Sequence, residues 1–134
     1  MSRKQDAQHA FTAVEEQLRS ISKWMYENPE LAYEEFESSR RLSEFLGDHG
    51  FEVTYPAYGL DTAFEANAGS SGPRVVICCE YDALPGVGHA CGHNIIATSS
   101  IGAGAAWPAW PRNSGSGSPS SEPPRRRAAA ARST

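Results

Sequence analysis

The sequence predicts an α/β protein. Three observations carry that expectation: apolar residues recur at spacings of three and four near the start, a continuous apolar run stands at 74–79, and a run of small residues follows at 94–106. The first pattern is that of an amphipathic helix, the second that of a strand covered on both faces, and the third that of a helix able to approach a sheet closely.

Phe11, Val14, Leu18, Ile21 and Met25 define the first helix, expected over roughly Asp6 to Tyr26. Asn28-Pro29 ends it, because the residue before proline avoids the helical region. A second helix is expected from about Tyr33 to Asp48, with Phe36, Leu42, Phe45 and Leu46 facing inward and Gly50 as its stop signal. Phe51 to Tyr55 reads as a short strand, and Thr62 to Ala68 alternates weakly enough to be another. A turn at Gly69 to Pro73 leads into the apolar strand Arg74 to Cys79. Pro85 to Gly88 is a loop, and Asn94 to Ala106 is the small-residue helix.

Composition bounds the function. The chain has 134 residues, is 40% hydrophobic and 21% charged, and carries a net charge of −4. That is an ordinary globular composition, and it argues against a generally basic nucleic-acid binder. The longest apolar runs fall short of a bilayer, and Met1 to Ala10 lacks an apolar signal core. Three cysteines do not make a disulfide scaffold, so a cytoplasmic location is expected. Charge divides the chain: residues 1–106 are net −8, whereas 107–134 are net +4. From Trp107 onward there is no Leu, Ile, Val, Met, Phe, Tyr or Cys. Two parts are therefore expected: an α/β unit over 1–106, and a low-complexity tail over 107–134 too poor in apolar area to order itself.

The chemistry gathers between Glu80 and Asn94. Two carboxylates, two histidines and a cysteine fall within fifteen residues. Cys91 and His93 are two apart on a glycine-containing loop, so both can reach one ion, and a thiolate with an imidazole suits zinc or a similar metal. Glu80 and Asp82 share one side of an extended strand end. One could ligate while the other fixes a ligand from behind. A lone Cys-x-His triplet is a weak signal, and the acidic strand end strengthens it. Of the remaining candidates, His89 reads as a loop cap and Tyr81 as packing. At least one of Cys78 and Cys79 reads as a small buried hydrophobe, and Glu34, Glu35 and Glu37 as a solvated helix face.

NPELAYEE at 28–35, EYDALPGVGHACGHN at 80–94 and the small-residue helix after them resemble peptidase family M-20, the aminoacylase, carboxypeptidase G and hippurate hydrolase group. Within it the amidohydrolase and Xaa-Arg (β-alanyl-lysine) dipeptidase branch is the most similar. The resemblance covers about residues 5–106. It implies the N-terminal portion of a three-layer α/β/α metallopeptidase catalytic domain with a mixed, mostly parallel sheet. It implies a two-ion enzyme, Zn2+ or Mn2+, that hydrolyses amides of dipeptides or N-acyl amino acids through a metal-bridging water and a Glu base. Carried over by position, Cys91 and His93 become metal ligands, and Glu80 stands where many relatives have a ligand His. Asp82 becomes the catalytic-site carboxylate that orients a ligand. Asn94 replaces the Asp usual in the amidohydrolase branch, and Asn28 replaces a common His. The resemblance further implies a small-molecule substrate, no nucleic-acid or membrane partner, and a homodimer for the intact relative.

The family also uses a Glu-Glu pair after this region, and beyond Asn94 the only carboxylate side chain here is Glu122. A shifted reading frame accounts for that. Read from the last base of the Ala106 codon, G/C-leaning codons for the tail can spell LAGLAEELGIGVTVVGTPAEEGGGGKVD, which restores a helix, a strand and a Glu-Glu turn. Residues 107–134 are thus expected to be out of frame and the catalytic domain truncated. Stop codons in that alternative phase of the DNA would refute this. Two other expectations compete: a non-catalytic fragment that binds one zinc or acts as a scaffold, and a nucleic-acid-binding tail built on Trp107, Trp110 and Arg125 to Arg127.

Overall fold

The computed structural model describes residues 2–69 and 74–107, and the backbone of Arg126–Ala129. Helix α1 spans Arg3–Glu27, helix α2 Phe36–Asp48 and helix α3 His93–Ala106. Strands β1 (Glu52–Thr54), β2 (Glu65–Ala68), β3 (Val75–Cys78) and β4 (Arg126–Ala129) form one sheet in the order β1-β2-β4-β3. The sheet is mixed: β1 and β4 each pair antiparallel with β2, and β3 pairs parallel with β4. Among the described strands, one of three pairings is therefore parallel.

Helix α1 begins three residues before the expected Asp6, and the sequence contains the reason. Ser2 and Gln5 form a capping box: Gln5 N donates to Ser2 Oγ at 3.3 Å and Ser2 N to Gln5 Oε1 at 2.8 Å. Two of the otherwise orphaned N–H groups at the helix start are thereby satisfied. Helix α2 begins three residues later than expected. Its first residue, Phe36, is 53% exposed rather than inward-facing. Leu42, Phe45 and Leu46 do face inward.

One core joins the layers. Leu18 and Met25 of α1, Leu42, Phe45 and Leu46 of α2, Phe51 and Phe64 beside the strands, Tyr81, and Ile101 of α3 form a continuous buried cluster. The small residues of α3 were expected to press against the sheet; they serve chiefly its contact with α1. A Cβ at Gly102 would lie 2.7 Å from Leu18 Cδ1 and 2.8 Å from Phe11 Cε2. Such distances lie inside van der Waals contact, so glycine sets how near the two helices come.

Strand β3 departs from expectation. A strand covered on both faces was expected, yet Val75 is 38% and Val76 51% exposed, and Cys78 is exposed too. The cause is position. Among the described strands β3 lies at the sheet edge, and α3 reaches its far end, where Ser100 Oγ donates to Cys78 O at 2.8 Å. Cys79, just past β3, is the buried one, and desolvation holds its thiol well above the usual range.

The reading of 107–134 as a tail falls mostly on residues outside those described. Trp107, at the end of α3, and Arg126–Ala129 are the exceptions; the backbone of Arg126–Ala129 takes a strand position between β2 and β3.

Candidate metal site at the β3–α3 junction

The site is built where the chain leaves β3 and enters α3. Glu80, Tyr81 and Asp82 follow the strand, with Glu80 exposed, Tyr81 buried and Asp82 half-buried. Tyr81 points into the core, fully buried, stacked on Phe64 with ring centroids 5.8 Å apart, its hydroxyl donating to Thr62 O. Glu80 and Asp82, on either side of it in the sequence, both reach His93. A tight turn closes at Leu84 and Gly88, where Leu84 N donates to Gly88 O at 2.9 Å. Gly92, at φ 80°, is the left-handed residue that admits the chain to α3. Only glycine takes that conformation without steric cost, which explains its place between Cys91 and His93.

His93 is the hub. Its Nδ1 lies 2.8 Å from the backbone O of Asp82 and 2.9 Å from Asp82 Oδ1. Both partners are acceptors, so Nδ1 carries a proton in this arrangement and Nε2 is the nitrogen turned toward Glu80. Nε2 lies 3.3 Å from Glu80 Oε2. Two lone-pair atoms at that spacing repel unless a proton or a cation stands between them. Donors bound at about 2.0–2.1 Å to one tetrahedral ion stand about 3.3–3.4 Å apart, which matches the observed separation. A carboxylate behind Nδ1 with Nε2 directed outward is the arrangement that prepares imidazole to ligate. The donor set therefore fits a borderline metal ion: imidazole from His93, carboxylate from Glu80, and a thiol two residues away at Cys91.

The structure joins Glu80, Asp82 and His93 directly. Cys91 is exposed and makes no such link to them. Among the described residues, no three His, Cys, Asp or Glu side chains gather around one point as a ready-made metal cage.

Several residues behave differently from the sequence expectation. His89 does not cap the loop with its ring: it is 5% exposed, and neither ring nitrogen has a hydrogen-bond partner among the described residues. Burial first, and then the neighbouring His93, hold its imidazole below the usual range against Asp82 and Glu30. Glu35 is not on a solvated face but 2% exposed. Desolvation raises its carboxyl above the usual 4.5; hydrogen bonds from backbone and from Thr62 oppose this, and Asp82 adds to it. Folding thus favours the protonated form. The native state holds more protons than the unfolded chain from pH 4.5 upward, so this group's contribution to stability falls as pH rises through its native value. Glu35→Gln should abolish that dependence: the stability difference between wild type and variant shrinks or reverses on going from pH 4.5 to neutral. Urea midpoints at a series of pH values check this, and a constant difference would contradict it.

Asn94 ties the site to α1. It is 7% exposed, and its Nδ2 donates to Ser22 O at 3.3 Å and Ser22 Oγ at 3.1 Å. An aspartate at 94 has no donor for Ser22 O and would set a charge against it. Asn94→Asp is expected to cost about 1–3 kcal/mol at neutral pH, measured by denaturant unfolding; an unchanged midpoint would contradict this contact.

No family model matches the chain. Individual relatives do. The human protein "Xaa-Arg dipeptidase" is 44% identical over 104 residues, covering 68% of this chain and 23% of the relative. One of the subunits of p-aminobenzoyl-glutamate hydrolase from Escherichia coli strain K12 is 30% identical over 125 residues, covering 81% of this chain and 26% of the relative. The chain thus spans about a quarter of the length of these curated relatives. Among solved structures, a Bacillus subtilis protein described as a dinuclear metal binding peptidase from the M20 family superposes with a TM-score of 0.60 at 26% identity, over 67% of this chain and 29% of that one. A putative aminohydrolase from methicillin-resistant Staphylococcus aureus superposes at 0.71 over 92% of this chain and 33% of that one; at 20% identity it speaks for the fold alone. By sequence and by fold, the chain is a relative of the M20 peptidases that matches them over part of their length.

Proposed function

We propose that this chain carries part of the metal site of a hydrolase that cleaves amide bonds in dipeptides or N-acyl amino acids. One observation supports this above the others: Asp82 holds His93 Nδ1 while Nε2 faces Glu80 Oε2 at 3.3 Å. The names of the relatives, a dipeptidase and an aminobenzoyl-glutamate hydrolase, agree with such substrates. In this reading His93, Cys91 and Glu80 hold a Zn2+ or Mn2+ ion, and Asp82 orients His93. The ion would polarise the scissile carbonyl and acidify a bound water. The chain's own part is positional: Asp82 sets the tautomer of His93, and Gly92 lets Cys91 and His93 flank one turn. A small amide as partner, a cytoplasmic location and a homodimeric whole enzyme belong to the same proposal.

These 134 residues alone are proposed to be inactive. Two-ion amide hydrolysis calls for a base and further ligands, and Glu122 is the only carboxylate side chain after Asn94. The test is turnover of β-alanyl-lysine and N-acyl amino acids by the purified chain with zinc or manganese added. No hydrolysis together with metal binding is expected; hydrolysis would overturn the inactivity, and failure to bind either metal would overturn the site.

A second reading is favoured by the count of converging donors: His93 Nε2 and Glu80 Oε2 form one pair, enough to anchor one ion. A one-zinc structural or scaffold role would then replace catalysis. Metal stoichiometry separates the two within a longer chain of this type, two ions for the hydrolase and one for the scaffold.

A further inference from the structure

We infer that Glu30 is a positioning residue for the Asp82–His93 pair, acting across the turn that joins α1 to α2. The inference extends the proposed metal site, but its geometric core stands without metal.

Helix α2 has no side-chain cap from its own N-cap residue, Glu35. Glu30 reaches back to supply one. Its carboxylate accepts from Glu37 N at 3.0 Å, from Ser38 N at 2.6 Å and from Ser38 Oγ at 2.5 Å. Three donors on one carboxylate at a helix N-terminus are a charge-assisted anchor, reinforced by the helix dipole. Ser38 is fully buried, so the anchor is tied to the core rather than to solvent.

The backbone of the same residue does the second job. Glu30 O accepts from Ala83 N at 2.7 Å, and Leu31 forms an isolated parallel bridge with Ala83. Ala83 is the residue after Asp82. Asp82 in turn presents two oxygens to His93 Nδ1. A contiguous path therefore runs from the start of α2, through both ends of Glu30, to the Asp82 backbone and the His93 ring. Pro29 closes the contact from one side: a Cβ on Gly88 would sit 3.8 Å from its ring.

The experiment uses the full chain and reads the His93 ring by long-range nitrogen–proton NMR without metal, alongside zinc affinity. Wild type is expected to show one tautomer, with the proton on Nδ1. Glu30→Ala is expected to release a second population protonated on Nε2 and to weaken zinc binding about three- to tenfold. Glu30→Gln and Ser38→Ala should shift both readouts the same way by less, which keeps the test alive should the alanine variant fold poorly. Leu42→Val, which loosens the core around α2 without touching Glu30, should leave the tautomer unchanged. In an Asp82→Ala background the backbone O of residue 82 still faces Nδ1, so Glu30→Ala should still shift both readouts in the same direction, and loss of that effect would overturn the backbone route. A His93 ring that stays in one tautomer in all Glu30 and Ser38 variants overturns the inference. If wild type binds no zinc, the proposed metal site falls, and the NMR comparison still decides the role of Glu30.

Discussion

Replacing Asp82 with alanine is expected to lower zinc affinity about 10- to 100-fold while the helices remain formed. Asp82 touches His93 twice, through Oδ1 and through its backbone O. The substitution removes the first contact and spares the second, so the ring loses its charged partner and part of its orientation. Ligand basicity falls with the lost carboxylate, and the free energy of ordering the ring is then drawn from metal binding. Asp82→Asn keeps an oxygen for Nδ1 and removes the charge, so its loss should lie between wild type and alanine. Competition with a chromophoric chelator measures both, with circular dichroism as the control for folding. Equal zinc affinity in all three proteins would mean that Asp82 does not orient a ligand.

The largest effect on stability is expected at the neighbouring residue. Tyr81→Ala should destabilise the chain by about 3–5 kcal/mol, because it empties a fully buried ring from the core. Tyr81→Phe keeps the ring and deletes the hydroxyl that donates to Thr62 O, with an expected cost of about 1–3 kcal/mol. The contrast separates packing from hydrogen bonding. Urea unfolding followed by tryptophan fluorescence measures it; a Tyr81→Ala cost below about 1 kcal/mol would place Tyr81 outside the core.

Much of the architecture was legible because it obeys period and punctuation. The three- and four-residue spacing in α1 led to Leu18 and Met25, both buried, and the small residues after Asn94 led to a helix whose Gly102 sits against Leu18 and Phe11. From the residues alone it was legible only that one carboxylate of the strand end could fix a ligand from the loop; that Asp82 is the orienting one was implied by the resemblance, and its partner His93 became visible only in the structure. What stayed hidden depends on long-range burial of polar groups. Glu35 looks like any solvated glutamate in a charged run, yet Thr62, 27 positions later in the sequence, covers it. Glu30 carries no local capping signature, because it caps a helix that starts six residues further on. Exposure of β3 was equally illegible: an apolar run gives the strand, but its place in the sheet decides what covers it. The start of α1 was a different case, since Ser2 and Gln5 stood in the sequence in the spacing of a capping box.

Cobalt titration of the full chain bears most directly on whether His93, Glu80 and Cys91 share an ion. Cobalt takes zinc sites and reports a thiolate ligand as a sulfur-to-metal charge-transfer band. One equivalent is expected to bind and to produce that band in wild type and in Cys78→Ser, with the band lost in Cys91→Ser and binding itself lost in His93→Ala. A band that survives Cys91→Ser, or cobalt binding undiminished in His93→Ala, would contradict the site.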